Sequence, residues 1–272
     1  CDRRQRQMCI RDRCYTAAIS PDNPELVKAK TLGIPVVERA VFLGALLEKY
    51  KYPIAVAGTH GKTTTSSMLS LVLLAAHKDP TILIGGELSQ IGGNYHIGGN
   101  EYLPFEACEY VESFLHFKPF VSIITNIEED HLDYFKDLNH IITSFVKFAS
   151  LTSDNGCNIV CIDENTTQSI VQNVKKKAVT YALNNKNADY TAENITLEKN
   201  GCPTFDIFNK DRKVLSVSLN VAGDHNICNA LGVTAACEFL GIEPEYIKSG
   251  LEEFRGAKRR FDRLGKTETG VD

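Results

Sequence analysis

The central stretch of the sequence reads Ile54-Ala55-Val56-Ala57-Gly58-Thr59-His60-Gly61-Lys62-Thr63-Thr64-Thr65. Its first four residues predict a buried strand, and residues 62–76 predict a helix. The glycines between them let backbone N–H groups point into the loop, and the helix start adds partial positive charge. A strand, a glycine loop and a helix in this order predict a phosphate-binding loop (P-loop) within an α/β fold.

Two residues of this loop carry its chemistry. Lys62 can reach the β- and γ-phosphates of a nucleotide, and the hydroxyl of Thr63 can ligate Mg²⁺. The strict pattern G-x-x-x-x-G-K-[ST] requires glycine at position 56, where this chain has Val56. The loop is therefore a variant whose first glycine is Gly58. A helix start of Gly-Lys-Thr sequence without any ligand is the alternative interpretation.

Buried strands alternate with helices on both sides of the loop. Further strands are predicted at residues 81–84, 102–105, 121–125, 158–162 and 178–182. Helices are predicted at residues 138–149, 166–174, 226–240 and 244–254. This alternation predicts a doubly wound, mostly parallel sheet. Residues 85–99 are rich in glycine and predict a loop, whereas residues 189–219 predict a small antiparallel element of hairpins.

The first fifty residues divide into two segments of different character. Residues 15–50 predict a helix that starts at 23–25, with Asn23 as its cap, and ends at Gly33. A strand at 34–37 and a helix at 40–49 follow, which is typical of the end of an α/β unit. Residues 1–14 hold five arginines, two aspartates and three cysteines, without helical or strand periodicity. We expect these fourteen residues to be non-native sequence joined to a truncated gene, with a basic arm as the alternative, and we exclude them from the fold.

Composition excludes several classes of protein. Of the 272 residues, 43% are apolar and 24% are charged, which is ordinary for one large globular domain or two smaller ones. No apolar run approaches the ~20 residues of a membrane helix, and no secretory signal opens the chain. The net charge is −4, or −7 without residues 1–14, and no basic stripe interleaved with aromatic residues is present. We therefore expect neither nucleic acid nor a membrane as a partner.

The cysteines indicate a reducing compartment. Those beyond residue 14 are Cys108, Cys157, Cys161, Cys202, Cys228 and Cys237. None of them forms a Cys-x-x-Cys pair, and none has zinc-ligand spacing to a histidine. We expect buried or half-buried free thiols in a cytoplasmic protein.

Acidic residues and one histidine follow the predicted strands near the loop. Glu106 stands at a strand end, where open α/β sheets bind ligands, and its carboxylate suits Mg²⁺. Glu109 offers the same chemistry three residues later and is a rival. His131 follows another strand end within an acidic run, so it is either a stabilised imidazolium or a metal ligand. A surface carboxylate and a solvated turn are the alternatives for these positions.

Two polar clusters lie near the end of the chain. Asn226 and Asn229 are three residues apart and share one face of a predicted helix, for which capping or surface amides are the alternative. Residues 254–261 read Phe-Arg-Gly-Ala-Lys-Arg-Arg-Phe. On their own, these residues predict only a solvated basic face.

Five blocks of the sequence resemble the Mur ligases, ATP-dependent amide-forming enzymes of peptidoglycan synthesis. In order, the blocks span residues 55–65, 106–117, 125–134, 223–230 and 254–261. His60, before the second glycine of the loop, resembles the branch that joins L-alanine to UDP-N-acetylmuramate. Cys108 and Tyr110 depart from that branch, in which Asp and Ser are frequent at these positions.

The resemblance implies a role for each candidate residue. The ATP-binding residues would be Gly58, Thr59, His60, Gly61, Lys62, Thr63, Thr64, His225, Asn226, Asn229 and Arg260. Thr63 and Glu106 would hold one Mg²⁺, and His131 would lie at a second Mg²⁺ near the substrate carboxylate. The catalytic residues would be Lys62, Glu106, His131 and Arg260, the last of which would contact the ATP phosphates.

The resemblance also implies a domain organisation and a reaction. Residues 15–50 would end a UDP-binding, Rossmann-like domain, residues 51–262 would form the central ATP-binding domain, and residues 263–272 would begin the connection to a missing C-terminal domain. The reaction would join L-alanine to the carboxylate of UDP-N-acetylmuramate through an acyl phosphate, with ATP and Mg²⁺. A related ligase that attaches a ready-made peptide, and a nucleotide-binding module that joins nothing, remain alternatives.

Overall fold

The computed structural model describes residues 12–256. Its α-helices are α1 (Pro24–Thr31), α2 (Arg39–Leu47), α3 (Lys62–Ala75), α4 (Leu138–Ser150), α5 (Asn165–Asn173), α6 (Asp224–Phe239) and α7 (Pro244–Glu253). Its strands are β1 (Arg13–Tyr15), β2 (Val36–Glu38), β3 (Tyr52–Ala57), β4 (Ile82–Leu88), β5 (Gly93–His96), β6 (Tyr102–Glu106), β7 (Val121–Ile124), β8 (Cys157–Cys161), β9 (Ala178–Tyr181), β10 (Tyr190–Leu197), β11 (Pro203–Asn209) and β12 (Arg212–Ser218). No helix in this part of the chain has the length and apolar character that crossing a membrane requires.

Ten of the strands form one sheet, in the order β12-β11-β10-β9-β8-β7-β3-β6-β4-β5. Neighbouring strands run parallel from β10 to β4, and the edges are antiparallel, with β11 and β12 on one side and β5 on the other. Ala55 of the central strand β3 lies opposite Phe105 of β6 and Ser122 of β7. The predicted doubly wound, mostly parallel sheet and its antiparallel hairpins are confirmed.

Helices cover both faces of the sheet, and its central strand is therefore buried on both sides. Ile54 and Val56 belong to one core, to which α3, α6 and α7 contribute. Ala55 and Ala57 belong to the other core, to which α2, α4 and α5 contribute. A continuous apolar sequence is what a parallel strand between two helical layers requires. The loop after β3 therefore emerges between two packed layers.

Local sequence sets both ends of α1. Asn23 caps this helix, because its side chain accepts a hydrogen bond from the backbone N–H of Glu25 at 3.0 Å, and Pro24 fills a position that needs no N–H donor. After the helix, Gly33 adopts φ +64°, a left-handed conformation that favours glycine. The helix start predicted at 23–25 and the helix end predicted at Gly33 are confirmed.

A separate two-stranded sheet lies near the start of the described chain. β1 pairs in parallel with β2, with Cys14 opposite Val37. Arg13 and Cys14 therefore belong to the fold, although the sequence led us to exclude them. These residues form a strand because they pair with another strand more than twenty residues later, and such pairing cannot be recognised from local periodicity. Residues 1–11 lie outside the described part, and the origin of the segment 1–14 stays a prediction.

The glycine-rich segment 85–99 is not one loop, so that prediction was wrong. β4 continues through Leu88, a 3₁₀ turn spans Ser89–Ile91, and β5 returns antiparallel to β4. The glycines interrupt the side-chain alternation by which strands are identified. Pairing along this edge depends instead on backbone hydrogen bonds, which glycine makes as other residues do.

Candidate nucleotide-binding site

The predicted phosphate loop occupies the carboxyl end of the central strand. It connects the end of β3 to Lys62, the first residue of α3. Gly58 and Gly61 have φ values of +140° and +83°. A Cβ atom at Gly58 would lie 2.0 Å from Oγ1 of Thr125. Backbone conformation and close approach thus both require glycine at the start of this loop.

Residues after β7 fix the shape of the loop. The backbone N–H of His60 donates to Oδ1 of Asn126 at 2.8 Å, and Nδ2 of Asn126 donates to the His60 carbonyl at 3.1 Å. The hydroxyl of Thr125 donates to the same carbonyl at 2.6 Å. Thr125 and Asn126 were not among the predicted site residues. Their position at the end of a strand beside the loop is the signal that could have identified them.

Lys62 lies at the loop and is paired with a buried carboxylate. Its Nζ donates to the carbonyl of Gly58 at 2.5 Å and to both carboxylate oxygens of Glu109 at 3.0 Å. Glu109 is only 2% exposed. The rival carboxylate of the sequence analysis is therefore the one that contacts the loop lysine, and a phosphate group entering the loop would compete with it for this ammonium.

Thr63 and Glu106 lie side by side at the first turn of α3. The Thr63 hydroxyl donates to Oε2 of Glu106 at 3.1 Å. The other oxygen, Oε1, accepts from the backbone N–H of Gly85 at 2.5 Å and from Ser66 Oγ at 3.3 Å. A hydroxyl beside a fixed carboxylate is an all-oxygen donor set, which is what Mg²⁺ prefers. These residues therefore fit the metal that the sequence predicted for them.

His131 belongs to a second cluster, which it shares with Glu109 and Asp130. Its Nε2 lies 4.0 Å from Oε1 of Glu109, and its Nδ1 lies 3.8 Å from Oδ1 of Asp130. One ligand atom from each residue falls within 4.8 Å of the others, so the three could share one cation. Asp130 was missed in the sequence, where it was one carboxylate among several in an acidic run.

A strained turn precedes the buried Phe114 and follows Glu109. Within the 3₁₀ segment Tyr110–His116, Val111 and Glu112 have φ values of +47° and +55°, which are unfavourable for residues with a Cβ atom. The Glu112 carboxylate accepts hydrogen bonds from Ser144 at 2.5 Å and from Lys147 at 3.3 Å. The Ser144 hydroxyl, more than Lys147, lowers the pKa of Glu112. Contacts with α4 therefore hold the turn that presents Glu109.

The asparagines of α6 lie near the second glycine of the loop. Oδ1 of Asn229 lies 2.9 Å from the position of a Cβ atom at Gly61, so the amide contacts the loop backbone. Nδ2 of Asn229 donates to Oδ1 of Asn226 at 3.3 Å, and Asn226 donates to the carbonyl of Ala222 at 2.7 Å. Both asparagines are buried. The pair thus belongs to the loop environment and is not a pair of surface amides.

The remaining predicted residues differ in their placement. Thr59 is buried and Thr64 is half-buried, whereas His60 is exposed, with Nε2 at 3.7 Å from Oε2 of Glu128. His225 is exposed in the first turn of α6, and its ring lies against Gly223. Arg260 lies outside the described residues, so its predicted contact with a nucleotide stays a prediction.

Two family models match the chain. The description "Mur ligase middle domain" matches residues 56–237, and "Mur ligase family, catalytic domain" matches residues 4–51. The first match contains the loop, the Thr63–Glu106 pair and the His131 cluster. It also covers more than half of the chain.

Several curated relatives share one name. The chain is 51% identical, over 251 residues, to the UDP-N-acetylmuramate–L-alanine ligase of Acetivibrio thermocellus, covering 92% of this chain and 54% of that protein. It is 49% identical to the enzyme of the same name from Clostridium tetani, covering 92% of this chain and 55% of that protein. The chain therefore spans about half the length of the curated relatives that it matches.

Solved structures agree with the fold. The chain is similar to the UDP-N-acetylmuramate–alanine ligase of Thermotoga maritima, with a TM-score of 0.82 and 30% identity over 95% of this chain and 58% of that one. It is also similar to the UDP-N-acetylmuramate:L-alanyl-γ-D-glutamyl-meso-diaminopimelate ligase of Neisseria meningitides. That match has a TM-score of 0.76 and 26% identity over 90% of this chain and 80% of that one.

Proposed function

The chain belongs to the Mur ligase family, and from this membership we propose that it carries the nucleotide site of an ATP-dependent ligase that joins L-alanine to the carboxylate of UDP-N-acetylmuramate. The observation that carries the proposal is the adjacency of Lys62, Thr63 and Glu106 at the end of β3. The substrates follow from the name that the relatives at 49–51% identity share. The chain spans about half the length of those relatives, so we assign the complete reaction to a protein that is as long as they are.

The residues of the site divide into three roles. Lys62 and the backbone N–H groups of the loop bind the nucleotide phosphates. Thr63 and Glu106 hold one Mg²⁺, and Glu109 with His131 holds a second. When bound, Mg²⁺ neutralises charge on the phosphate oxygens. Asn229 supports the loop from α6, at Gly61.

The proposed chemistry has two transfers. A carboxylate oxygen of the muramyl group attacks the γ-phosphorus of ATP, the bond to the β-phosphate oxygen breaks, and an acyl phosphate and ADP result. The amine of L-alanine then attacks the acyl carbon, inorganic phosphate leaves, and a proton is released as the amide forms. In both steps the protein positions the reactants and offsets negative charge, and no side chain forms a covalent bond.

Two other functions compete with this proposal. A ligase for a ready-made peptide shares the fold, but the structures of that kind have lower identity, such as the 26% of the Neisseria meningitides enzyme. A module that hydrolyses ATP without joining anything would retain the loop and the metal ligands. Substrate dependence separates all three functions.

Nucleotide binding is tested by calorimetry on the 272-residue chain. We expect micromolar affinity for Mg·ATP in the parent and a loss of about tenfold or more in Lys62→Ala, because the variant lacks the charge that binds phosphate. Glu106→Gln should make ATP binding less dependent on Mg²⁺. Lys51→Ala is the matched control, since this exposed lysine pairs with Glu101 away from the loop. Equal affinities of the parent and Lys62→Ala would contradict the site.

The substrates are tested with a longer protein, in which this chain is joined to the additional segments that its relatives have. ADP release should require both UDP-N-acetylmuramate and L-alanine. Release that requires a peptide in place of L-alanine would favour the peptide ligase. Release with ATP alone would favour the module without ligase activity.

A further inference from the structure

Two thiols from distant parts of the chain meet at the carboxyl edge of the sheet. Cys161 ends β8 and Cys228 lies in α6, and their Sγ atoms are 3.5 Å apart. A carboxylate oxygen of Asp163, in the loop after β8, lies within 4.8 Å of both sulfur atoms. The proposed nucleotide site uses none of these three residues.

The separation of the sulfur atoms suits a shared metal ion. Two thiolates on one tetrahedral Zn²⁺, with Zn–S bonds of about 2.3 Å, are about 3.8 Å apart. A disulfide would require the sulfur atoms to approach to about 2.05 Å. We propose that Cys161, Cys228 and Asp163 form a binding site for a soft divalent cation such as Zn²⁺, distinct from the Mg²⁺ ligands at the loop.

Asp163 is held in place as a third ligand. Its Oδ1 accepts hydrogen bonds from the backbone N–H groups of Asn184 and Asn185 at 2.8 and 2.9 Å. Its Oδ2 accepts one, from Leu183 at 2.8 Å, which leaves a lone pair free. The turn after β9 thus orients the carboxylate in the way that hydrogen bonds orient metal ligands elsewhere.

Charge and access also suit a cation. Among residues 12–256, no lysine, arginine or histidine forms an ion pair with Asp163. Cys161 is buried, but Cys228 and Asp163 are half-buried, so an ion can enter from their side. Three protein ligands leave a fourth position for water.

The site has a structural consequence for the nucleotide loop. Cys228 lies between Asn226 and Asn229, and Asn229 contacts the loop at Gly61. A cation bound to Cys228 and Cys161 would therefore tie the first turns of α6 to the end of β8. This link would restrict movement of the asparagines relative to the loop.

The test uses Cd²⁺, whose bonds to thiolates absorb in the ultraviolet, as the probe. Cys1, Cys9 and Cys14 are first replaced by serine to remove thiols of the N-terminal segment. Excess Mg²⁺ is present to occupy oxygen ligands at the loop. We expect one equivalent of Cd²⁺ to produce the thiolate absorption, Zn²⁺ to displace it, and a chelator to abolish it.

Variants assign the signal to residues. In this background, Cys161→Ser and Cys228→Ser should each weaken Cd²⁺ binding at least tenfold, whereas Cys202→Ser, at a buried thiol near β11, should leave it unchanged. Circular dichroism checks that each variant is folded. A signal that survives Cys228→Ser would overturn the proposal and would point to Cys108, beside the cluster of Glu109 and His131.

A measurement without variants at the site gives an independent answer. Bound Zn²⁺ should slow alkylation of Cys228 by a maleimide at least tenfold, as mass spectrometry of the modified peptide reports. Alkylation of Cys108 serves as the internal reference and should not slow to that extent. Equal alkylation rates at Cys228 with and without Zn²⁺ would overturn the proposal.

Discussion

At Gly58 the phosphate loop and the end of β7 approach each other more closely than any side chain allows. A Cβ atom there would meet Thr125 Oγ1 at 2.0 Å and the backbone of Asn126 at 3.0 Å. Thr125 is itself fixed by the hydrogen bond to the His60 carbonyl, so it cannot move aside without opening the loop. Glycine, which has no side chain, is therefore the residue that lets the loop backbone pack against the end of β7.

Gly58→Ala should destabilise the chain by about 3 kcal/mol or more, since left-handed strain and overpacking add. Nucleotide binding should be lost as well, because the loop must shift. Gly92→Ala is the control: φ is +68° there, but nothing lies within 4 Å of the new Cβ atom. We expect the control to cost about 1 kcal/mol and to bind ATP normally. Urea unfolding and calorimetry measure both effects, and equal costs for the two variants would contradict the packing argument.

At the scale of elements, two contacts between neighbouring segments place charged groups. The strained turn before Phe114 is held to α4 through Glu112, which accepts from Ser144 and Lys147. In the hairpin of β11 and β12, Asp206 of one strand pairs with Lys213 of the other at 2.8 Å. In both cases one carboxylate connects two segments through side-chain contacts that add to the backbone structure.

Glu112→Gln should lower the free energy of unfolding by about 1–2 kcal/mol at neutral pH, because a charge-assisted hydrogen bond is lost. The folded state lowers the pKa of Glu112, so its contribution is present above the unfolded pKa of about 4.3 and is lost as pH falls through the folded value. The difference between parent and variant should therefore shrink below about pH 4. Glu129→Gln, at an exposed carboxylate of the acidic run after β7, is the control and should leave the free energy of unfolding nearly unchanged.

The stabilisation by Asp206 should persist to a more acidic pH than the stabilisation by Glu112. Hydrogen bonds from Lys213 and then from Ser216 and Asn194 lower its pKa to about 2. Its stabilisation should be complete above about pH 4 and should disappear as pH falls to about 2. Asp206→Asn and Lys213→Met, measured singly and together, should show a coupling of about 1 kcal/mol at neutral pH, since the pair lies near the surface. A coupling that persists unchanged near pH 2 would contradict the ion pair.

At the scale of the whole molecule, the last described helix supports the first helix of the site. α7 crosses α3 so closely that a Cβ atom at Gly250 would lie 2.4 Å from the backbone N and Cα of Val72. Ile247 and Leu251 of α7 join the same core as Met68 and Leu69 of α3. The position of Lys62, at the start of α3, thus depends on a helix nearly two hundred residues later in the chain.

Gly250→Ala should cost about 2–3 kcal/mol in unfolding free energy, because the helices must separate, despite the better helix propensity of alanine. It should also weaken Mg·ATP binding several-fold through the displacement of α3. Gly241→Ala is the control, with φ +73° and open space around the new Cβ atom. A variant at Gly250 with unchanged stability and unchanged ATP affinity would contradict this coupling.

Much of the fold and part of the site were predictable because they depend on local patterns. Three predicted features depend only on residues close in sequence, and the structure has them at the predicted positions. They are the apolar run of β3, the glycines and lysine of the loop, and the cap at Asn23. The position of Glu106 near the loop followed from a rule of α/β sheets, that ligands bind at the carboxyl ends of the strands, whereas its pairing with Thr63 was implied by the resemblance to the Mur ligases. The hairpin within 85–99 was missed because its glycines carry no side-chain alternation.

Tertiary structure alone decided which distant groups meet. The residues by themselves left Glu106 and Glu109 as rivals, and the resemblance favoured Glu106 as the metal ligand. The strained turn directs Glu109 to Lys62 and His131 instead. The thiols of Cys161 and Cys228 are 67 residues apart and carry no spacing motif, so only the packing of α6 on β8 brings them together. Sequence determines conformations whose energies are local, whereas contacts between side chains of different elements depend on how the layers pack.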